Sequence, residues 1–333
     1  MNVFVFPGQG SQSNQMLKSL NAYSCRAADK VFEIVSKISG KDIVNLIEKS
    51  SNDELKKTEN TQVVMFAMDL AYGKILESFG IFPHMVAGHS LGQYAALVMS
   101  GILDIENACR IVMKRADLMS KLDVQGGLCA VKSLNMDIKH IEKNCQMIQE
   151  ETGEVISIAL YNSCKQIVVG GTKKSVSMFK ERIDRETGYS ASILSVSLPF
   201  HTMLIEDMAG EFQKYIQEVK IMQGNIPIIL NTSGQCFENL SDEKIIKEEL
   251  INQCYKPVQW IATMENIIKI KEPKVFEVGP GHTLAGFFKN DHPLIKVLRA
   301  DNRKSIEKIG NENRKHIVEK RIFERELWES YLN

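Results

Sequence analysis

The stretch VAGHSLGQYAAL, residues 86–97, sets a histidine and a serine side by side between two glycines. A short apolar run, FPHMV, precedes it and an alanine-rich segment follows, so it reads as strand, tight turn and helix, with the helix starting near Leu91. That order points to an α/β core in which a buried parallel strand delivers a loop at its carboxyl end. GHSLG fits the G-x-S-x-G nucleophile elbow, whose glycines relieve the crowding of a sharp turn and lift the serine hydroxyl out of the fold. Ser90 is then either a nucleophile on that turn or a serine that caps the following helix.

Outward from this stretch, NVFVF at residues 2–6 is a β-rich run stopped by Pro7-Gly8, and the loop PGQGSQ follows it. Residues 11–80 carry helical spacing with many charges, including DELKKTENTQVVMFAMDLAYGKILESFG at 53–80, whose second half is a long apolar-periodic helix closed by Gly80 and expected to be buried. From about Gly126 to Val196 the texture becomes strand GLCAV, helix DIKHIEKNCQMIQE, strands VISIALYN and QIVVGG, helix KKSVSMFKERIDRE and strand SASILSV. This β-α-β-β-α-β order is that of a ferredoxin-like unit inserted in the chain. Beyond it, LPFHTMLIEDMAGEFQKYIQEV reads as a helix entered through a Pro-Phe-His turn, and IPIILNTSG and KVFEVGPG as two more short parallel strands. The expected organisation is a large α/β domain with a parallel sheet core from residues 1–125 and 197–300, an inserted α+β subdomain at 126–196, and a tail at 301–333. That tail has 15 charged residues of 33, with Ile306, Ile309, Ile317, Phe323, Leu327 and Trp328 interspersed, and reads as an amphipathic helix packed back on its own body or offered to a partner.

The chain has 333 residues, enough to bury an extended core without oligomerising, so a monomer is expected. Forty-one basic residues balance 41 acidic ones, which leaves no overall field for nucleic acid or an anionic membrane. Seven scattered cysteines, never in a CxxC pair, argue against a disulfide framework and a zinc knuckle, and no metal site is expected. With no secretory pattern and no run of about 18 apolar residues, a cytoplasmic protein is expected.

If Ser90 is a nucleophile, a histidine from elsewhere must take its proton. His84, His140, His292 and His316 lie in charged or loop-like surroundings and read as structural or surface residues. His89 adjoins Ser90, but neighbouring side chains on a turn usually diverge. His282 sits in a second glycine-rich loop, GPGHTLAG, and His201 lies where Pro199 can fix the backbone and aim the ring. An acidic substrate would further need a fixed cation. Arg115, on a mostly apolar helix 25 residues after Ser90, is either that cation or part of a polar stripe with Lys114 and Asp117.

Four separated stretches, FVFPGQGSQ, AGHSLGQYAAL, LPFHTMLIEDMAGEF and NQCYKPVQW followed by FEVGPGHTLAG, resemble together the malonyl-CoA:acyl-carrier-protein transacylases and the acyltransferases of polyketide synthases. The resemblance runs from residue 1 to about 290 and does not cover the tail beyond about 300. It implies an α/β-hydrolase-like large domain with a ferredoxin-like insert, no cofactor, and malonyl-CoA and a phosphopantetheinylated acyl carrier protein as partners. By the same resemblance Ser90 attacks the malonyl thioester, His201 is the general base, and the N–H groups of Gln9 and Leu91 form the oxyanion hole. A backbone carbonyl near Gln253 would steer the histidine in place of an aspartate, and Arg115 would take the malonyl carboxylate in a bidentate pair. Gln62, Asn162, Gln253 and His89 match further pocket positions, and Phe200 matches the malonyl-type pattern that narrows the space beside the α-carbon. Gln93, where many members carry glutamate, is expected at the pocket edge. Two other readings remain: an acyl hydrolase that clears stalled carrier-protein thioesters, and a non-catalytic synthase scaffold.

Overall fold

The computed structural model describes residues 1–10, 12, 16–17, 25–196, 198–238, 241–302 and 304–315. In chain order the elements are β1 (Asn2–Phe6), α1 (Arg26–Ser39), α2 (Ile43–Lys49), α3 (Asn52–Lys56), α4 (Thr58–Ser78), β2 (Met85–Gly88), α5 (Gly92–Met99) and α6 (Ile105–Ser120). Next come β3 (Gly126–Ser133), α7 (Ile138–Thr152), β4 (Ile156–Ser163), β5 (Gln166–Thr172), α8 (Lys173–Ile183) and β6 (Tyr189–Ile193). The chain continues through α9 (Asp207–Gln217), β7 (Ile228–Ile229), β8 (Cys236–Phe237), α10 (Glu243–Asn252), α11 (Trp260–Ile268), β9 (Lys274–Val278), α12 (Thr283–Asp291) and β10 (Val297–Ala300). Residues 304–315 are helical as well.

Six strands form one sheet in the order β10-β9-β1-β2-β7-β8, parallel throughout except for the β7–β8 pair. NVFVF lacks alternation because β1 is buried on both faces: Phe4 and Phe6 enter one apolar cluster, Val3 and Val5 the other. Helix α4 is apolar nearly all round for the same reason, being buried from Asn60 to Gly73. With β1 central and its successors on opposite sides, the loops leaving β1 and β2 open at the carboxyl edge of the sheet, where α/β folds bind ligands.

The second sheet is antiparallel, in the order β4-β5-β3-β6, with α7 and α8 on one face. Its period of two sorts the side chains: Cys129, Val131, Ile167 and Val169 pack under the two helices, while Leu128, Ala130 and Val168 join the core of the large sheet. The polar-looking junction after β6 is therefore held against this sheet. A Cβ at Gly126 would lie 2.6 Å from Pro199 Cγ, and one at Gly170 would lie 2.7 Å from Thr202 Cγ2. Those two glycines let the segment bearing His201 press onto the sheet.

Several expectations shift in detail. The long helix expected over 198–219 is broken into a 3₁₀ turn, Met203–Ile205, and α9. The IPIIL strand is reduced to the two residues of β7, and the short strands β8 and β10 were not anticipated. In the tail, Ile306 and Ile309 are buried, Asn313 Nδ2 donates to Phe79 O, and the Arg314 guanidinium lies 5.3 Å from the centre of the Phe79 ring. Ile317, Phe323, Leu327, Trp328 and His316 fall outside the described residues. The cysteines are all free, five of them buried. No helix among the described residues is long and apolar enough to cross a membrane.

Candidate active site

Ser90 stands on the turn between β2 and α5 with φ of +50°, a left-handed conformation rare for a residue with a Cβ. Neither flanking glycine is left-handed; their part is to leave room. A Cβ at Gly88 would lie 2.1 Å from the Gly92 carbonyl carbon, and one at Gly92 would lie 2.2 Å from Phe6 O. Strand β1, strand β2 and helix α5 thus meet at backbone contact, and only Ser90 carries a side chain outward. Its strained backbone is clamped on both sides: Ser90 N–H donates to Asn231 Oδ1 at 2.7 Å, and Ser90 O accepts from Gln253 Nε2 at 2.7 Å.

His201 comes to Ser90 from 111 residues away, its Nε2 lying 2.7 Å from Ser90 Oγ. It too is left-handed, with φ of +61°, pinned by its N–H to Cys254 O at 3.3 Å and by the neighbouring Thr202 Oγ1 bond to Pro199 O. Burial first, then the positive charge of Arg115 and the cost of a second proton near His89, push the imidazole down to about 3, so the ring is neutral and free to accept a proton. The backbone carbonyls of Gln253 and Lys256 act the other way and favour the protonated ring, although no acceptor meets hydrogen-bond geometry at Nδ1. Among the described residues no carboxylate completes a triad.

Arg115 is buried on α6, and among the described residues no carboxylate pairs with it. Its Nη1 donates to Gln62 Oε1 at 2.7 Å, its guanidinium lies 5.8 Å from the centre of the Tyr94 ring, and Nε is unpartnered. The alternative of a surface stripe fails here: Lys114 turns outward to Glu211, while Arg115 turns in. A buried, unpaired guanidinium is costly unless an anion arrives to meet it.

Ser90, His201 and Arg115 line one cavity of about 330 Å³, together with Gln9, Leu91 and Phe200. Leu128, Leu160 and Leu194 from the smaller sheet's side close it with apolar surface, and His89 and Lys56 also border it. A larger hollow of about 840 Å³ lies beside α1 and α2, lined by residues such as Phe32, Lys37 and Asp42, and among its described lining residues there is no serine–histidine or cysteine–histidine pair. Chemistry, not size, identifies the smaller one.

The structure separates the residues expected to contact substrate. His89 points away from Ser90 Oγ, its Nε2 lying 2.8 Å from Asn162 Oδ1 and its ring packing edge-on against Trp260. Burial lowers its basicity. Gln62, Asn162 and Gln253 are not among the residues that line the cavity: Gln62 Oε1 holds Arg115, Asn162 Oδ1 meets His89 Nε2 and Gln253 Nε2 holds the Ser90 carbonyl, while Gln253 Oε1 has no partner among the described residues. Gln93 is not at the pocket edge either. It is fully buried beneath the elbow, where its Oε1 accepts from Asn231 N and its Nε2 donates to Glu249. His282 is exposed, and its loop serves instead to pack Gly279 against Pro7 and Asp69.

Asn231, Glu249, Tyr94 and Lys56 escaped the reading of the sequence. Asn231 alone had a usable signal, a polar residue at the carboxyl end of an apolar strand run. A buried carboxyl pair was also missed: Asp69 on α4 has neither oxygen partnered, and Glu277 on β9 accepts from Leu284 N and Ala285 N at the start of α12. Burial and the nearby Glu277 raise Asp69 well above the usual carboxyl range, and burial, with Asp301 adding to it, raises Glu277 to about 7. Among the described residues no cluster of three or more metal-ligating side chains occurs.

Residues 3–316 match the acyl transferase domain family, which carries the likeness past the motifs and into the helix of the tail. Malonyl CoA-acyl carrier protein transacylase of Bacillus subtilis is 32% identical over 305 residues, covering 91% of this chain and 94% of that protein. Its counterpart from Escherichia coli K12 is 31% identical over 298 residues, covering 89% and 94%. Among solved structures, the malonyl CoA-acyl carrier protein transacylase of Coxiella burnetii superposes with a TM-score of 0.86 at 30% identity, covering 93% of this chain and 96% of that one. A malonyl-transacylase solved in complex with its type II PKS acyl-carrier protein gives 0.85 at 28% identity, covering 92% and 97%. The elbow serine, its distant histidine and the buried arginine thus sit in a chain alike to these proteins over nearly its whole length, and the protein belongs to the acyl transferase family.

Proposed function

We propose that the protein moves a malonyl group from coenzyme A to the phosphopantetheine thiol of an acyl carrier protein through an acyl-serine, in fatty acid or polyketide synthesis. The observation that carries this is the buried Arg115, paired with no carboxylate among the described residues, in one cavity with the Ser90–His201 pair. Its guanidinium takes the malonyl carboxylate in a forked pair, and the bound anion offsets the positive charge that lowers His201.

Ser90 Oγ attacks the thioester carbonyl as His201 Nε2 takes its proton, and the N–H groups of Gln9 and Leu91 face the developing oxyanion. Collapse breaks the C–S bond, and His201 returns the proton to the departing coenzyme A thiolate. In the second half the carrier's thiol gives its proton to His201, attacks the acyl-serine, and frees Ser90 to take that proton back. The site's own side chains carry every proton transfer.

Phe200 narrows the cavity beside the acyl group, which supports malonyl over methylmalonyl. Incubation with radiolabelled malonyl-, methylmalonyl- and acetyl-CoA, followed by fatty-acid and polyketide carrier proteins, tests the reading and its pathway together. Malonyl should label wild type and not Ser90→Ala, and the label should pass to a carrier; release as free malonate would favour the hydrolase. A wild type that takes no label would favour the scaffold. Phe200→Ser should admit methylmalonyl.

A further inference from the structure

Beneath the elbow runs a chain of buried polar contacts that the transfer chemistry does not touch. Ser90 N–H rests on Asn231 Oδ1. Asn231 Nδ2 donates to Gly88 O and to Gln93 Oε1, and Asn231 N donates to the same Gln93 oxygen at 2.8 Å. Gln93 Nε2 then donates to Glu249 Oε1 at 3.1 Å, where Thr232 N also donates at 3.0 Å, and Thr232 Oγ1 donates to Glu249 Oε2. Gln93, Asn231 and Glu249 are all nearly inaccessible to solvent.

The sense of this chain is fixed at both ends. A side-chain amide turns either face toward a neighbour, but a carboxylate only accepts. Glu249 therefore draws the NH₂ group of Gln93 toward itself and leaves the Gln93 oxygen for Asn231. Asn231 must then turn its own NH₂ toward Gln93 and Gly88 O, which leaves its oxygen for Ser90 N–H. Ser90 holds a left-handed backbone that is strained for a residue with a Cβ, so an anchor on its N–H bears directly on where Oγ stands. From this we infer that Glu249, acting through Gln93 and Asn231, is a positioning residue for Ser90, and that the relay requires one negative charge and one amide shared between positions 93 and 249.

The inference rests on the reading of Ser90 as the acylated residue. The two are separable by experiment. Gln93→Glu sets two carboxylates against each other in a buried site. Gln93→Glu with Glu249→Gln moves the charge by one residue and keeps every pairing but one: Asn231 N and Nδ2 still donate to an oxygen at 93, an amide at 249 donates to it, and the amide oxygen still accepts from Thr232 Oγ1, while Thr232 N–H, which shares Glu249 Oε1 with Gln93, loses its acceptor. The readouts are single-turnover acylation by radiolabelled malonyl-CoA, the KM for malonyl-CoA, and hydrogen exchange at the Ser90 amide.

Gln93→Glu should slow acylation by about tenfold or more, since misplacing a nucleophile costs rate before it costs affinity. Its KM should stay within about threefold, because Arg115 is untouched, and Ser90 exchange should quicken. The exchanged pair should recover acylation to within about threefold of wild type. Acylation unimpaired in Gln93→Glu, or no recovery in the pair, overturns the relay. If Gln93→Glu does not fold, Glu249→Gln, which leaves two amides and no charge, is the second probe, expected to slow acylation and to be corrected by adding Gln93→Glu; failure of that correction likewise overturns it. A wild type that takes no malonyl sinks the transfer reading instead, and Ser90 amide exchange in the same variants still decides the relay.

Discussion

Gln62 Oε1 accepts a 2.7 Å hydrogen bond from Arg115 Nη1, so a neutral amide helps to orient the guanidinium, and among the described residues no carboxylate pairs with it. An aspartate or glutamate in its place would neutralise Arg115 and remove its reason to bind an anion. The amide aims the fork and leaves its charge available.

Arg115→Ala should therefore lower kcat/KM for malonyl-CoA by about 10²-fold, the worth of one charged, forked contact. Acetyl-CoA should be used as well as before, or better. Arg115→Lys should recover little, since an ammonium cannot fork, and Gln62→Leu should cost about tenfold through a misaimed guanidinium. Steady-state kinetics with the two donors check this; equal losses for malonyl and acetyl would sink the assignment of Arg115 to the carboxylate.

His201 is depressed to about 3, well below its ordinary 6.5, so it stays a competent base in mild acid. Acylation by acetyl-CoA should be flat from about pH 8 to pH 5, whereas an unperturbed imidazole would lose activity below about 6.5. Arg115→Ala removes one of the charges that lower it, and should move the acid limb upward. The same group affects stability: the unfolded chain binds the proton first, so its contribution is full above pH 6.5 and drains away as pH falls toward about 3. A pH profile breaking near 6.5 in the wild type would contradict the buried, neutral ring.

Asp69 and Glu277 act with the opposite sign, because both are raised in the folded protein. Their contribution is present below the ordinary carboxyl values and is lost as pH rises, for Glu277 through about 7. Asp69→Asn keeps the shape and removes one of the two like charges, so it should raise Tm by roughly 2–4 °C at pH 8 and by less at pH 5. Thermal melts of both proteins at the two pH values test it; a shift independent of pH would show that the pair does not repel.

Gly92→Ala should prevent folding or leave an inactive protein, since its methyl would fall 2.2 Å from Phe6 O with backbone on every side. Gly210→Ala is the control, because nothing lies within 4 Å of the methyl it would add on α9, and it should melt within about 1 kcal/mol of wild type. Soluble yield and circular dichroism report the difference.

Periodicity and punctuation were enough to read the α/β class, the strand-turn-helix around Ser90 and the β-α-β-β-α-β order of the second sheet, because these depend on neighbours along the chain. They also placed the buried helix α4 and marked Ser90 as exceptional. Motif resemblance then singled out His201 and Arg115, which local pattern left among alternatives. What no local pattern carried is the partner of each side chain. Ser90 and His201 are 111 residues apart and meet only because the smaller sheet, through Gly126 and Gly170, presses the Pro199–Thr202 segment against the large one. Gln62, Asn162 and Gln253 have the composition of substrate contacts, yet each sends one end of its amide to a protein group, Arg115, His89 and the Ser90 carbonyl in turn, and none is among the residues lining the cavity. Gln93, next to the elbow in sequence, turns inward to a network that ends at Glu249 on α10. A residue's type and spacing follow from the sequence, but a hydrogen bond is settled by which donors and acceptors the packed chain leaves within 3 Å of one another.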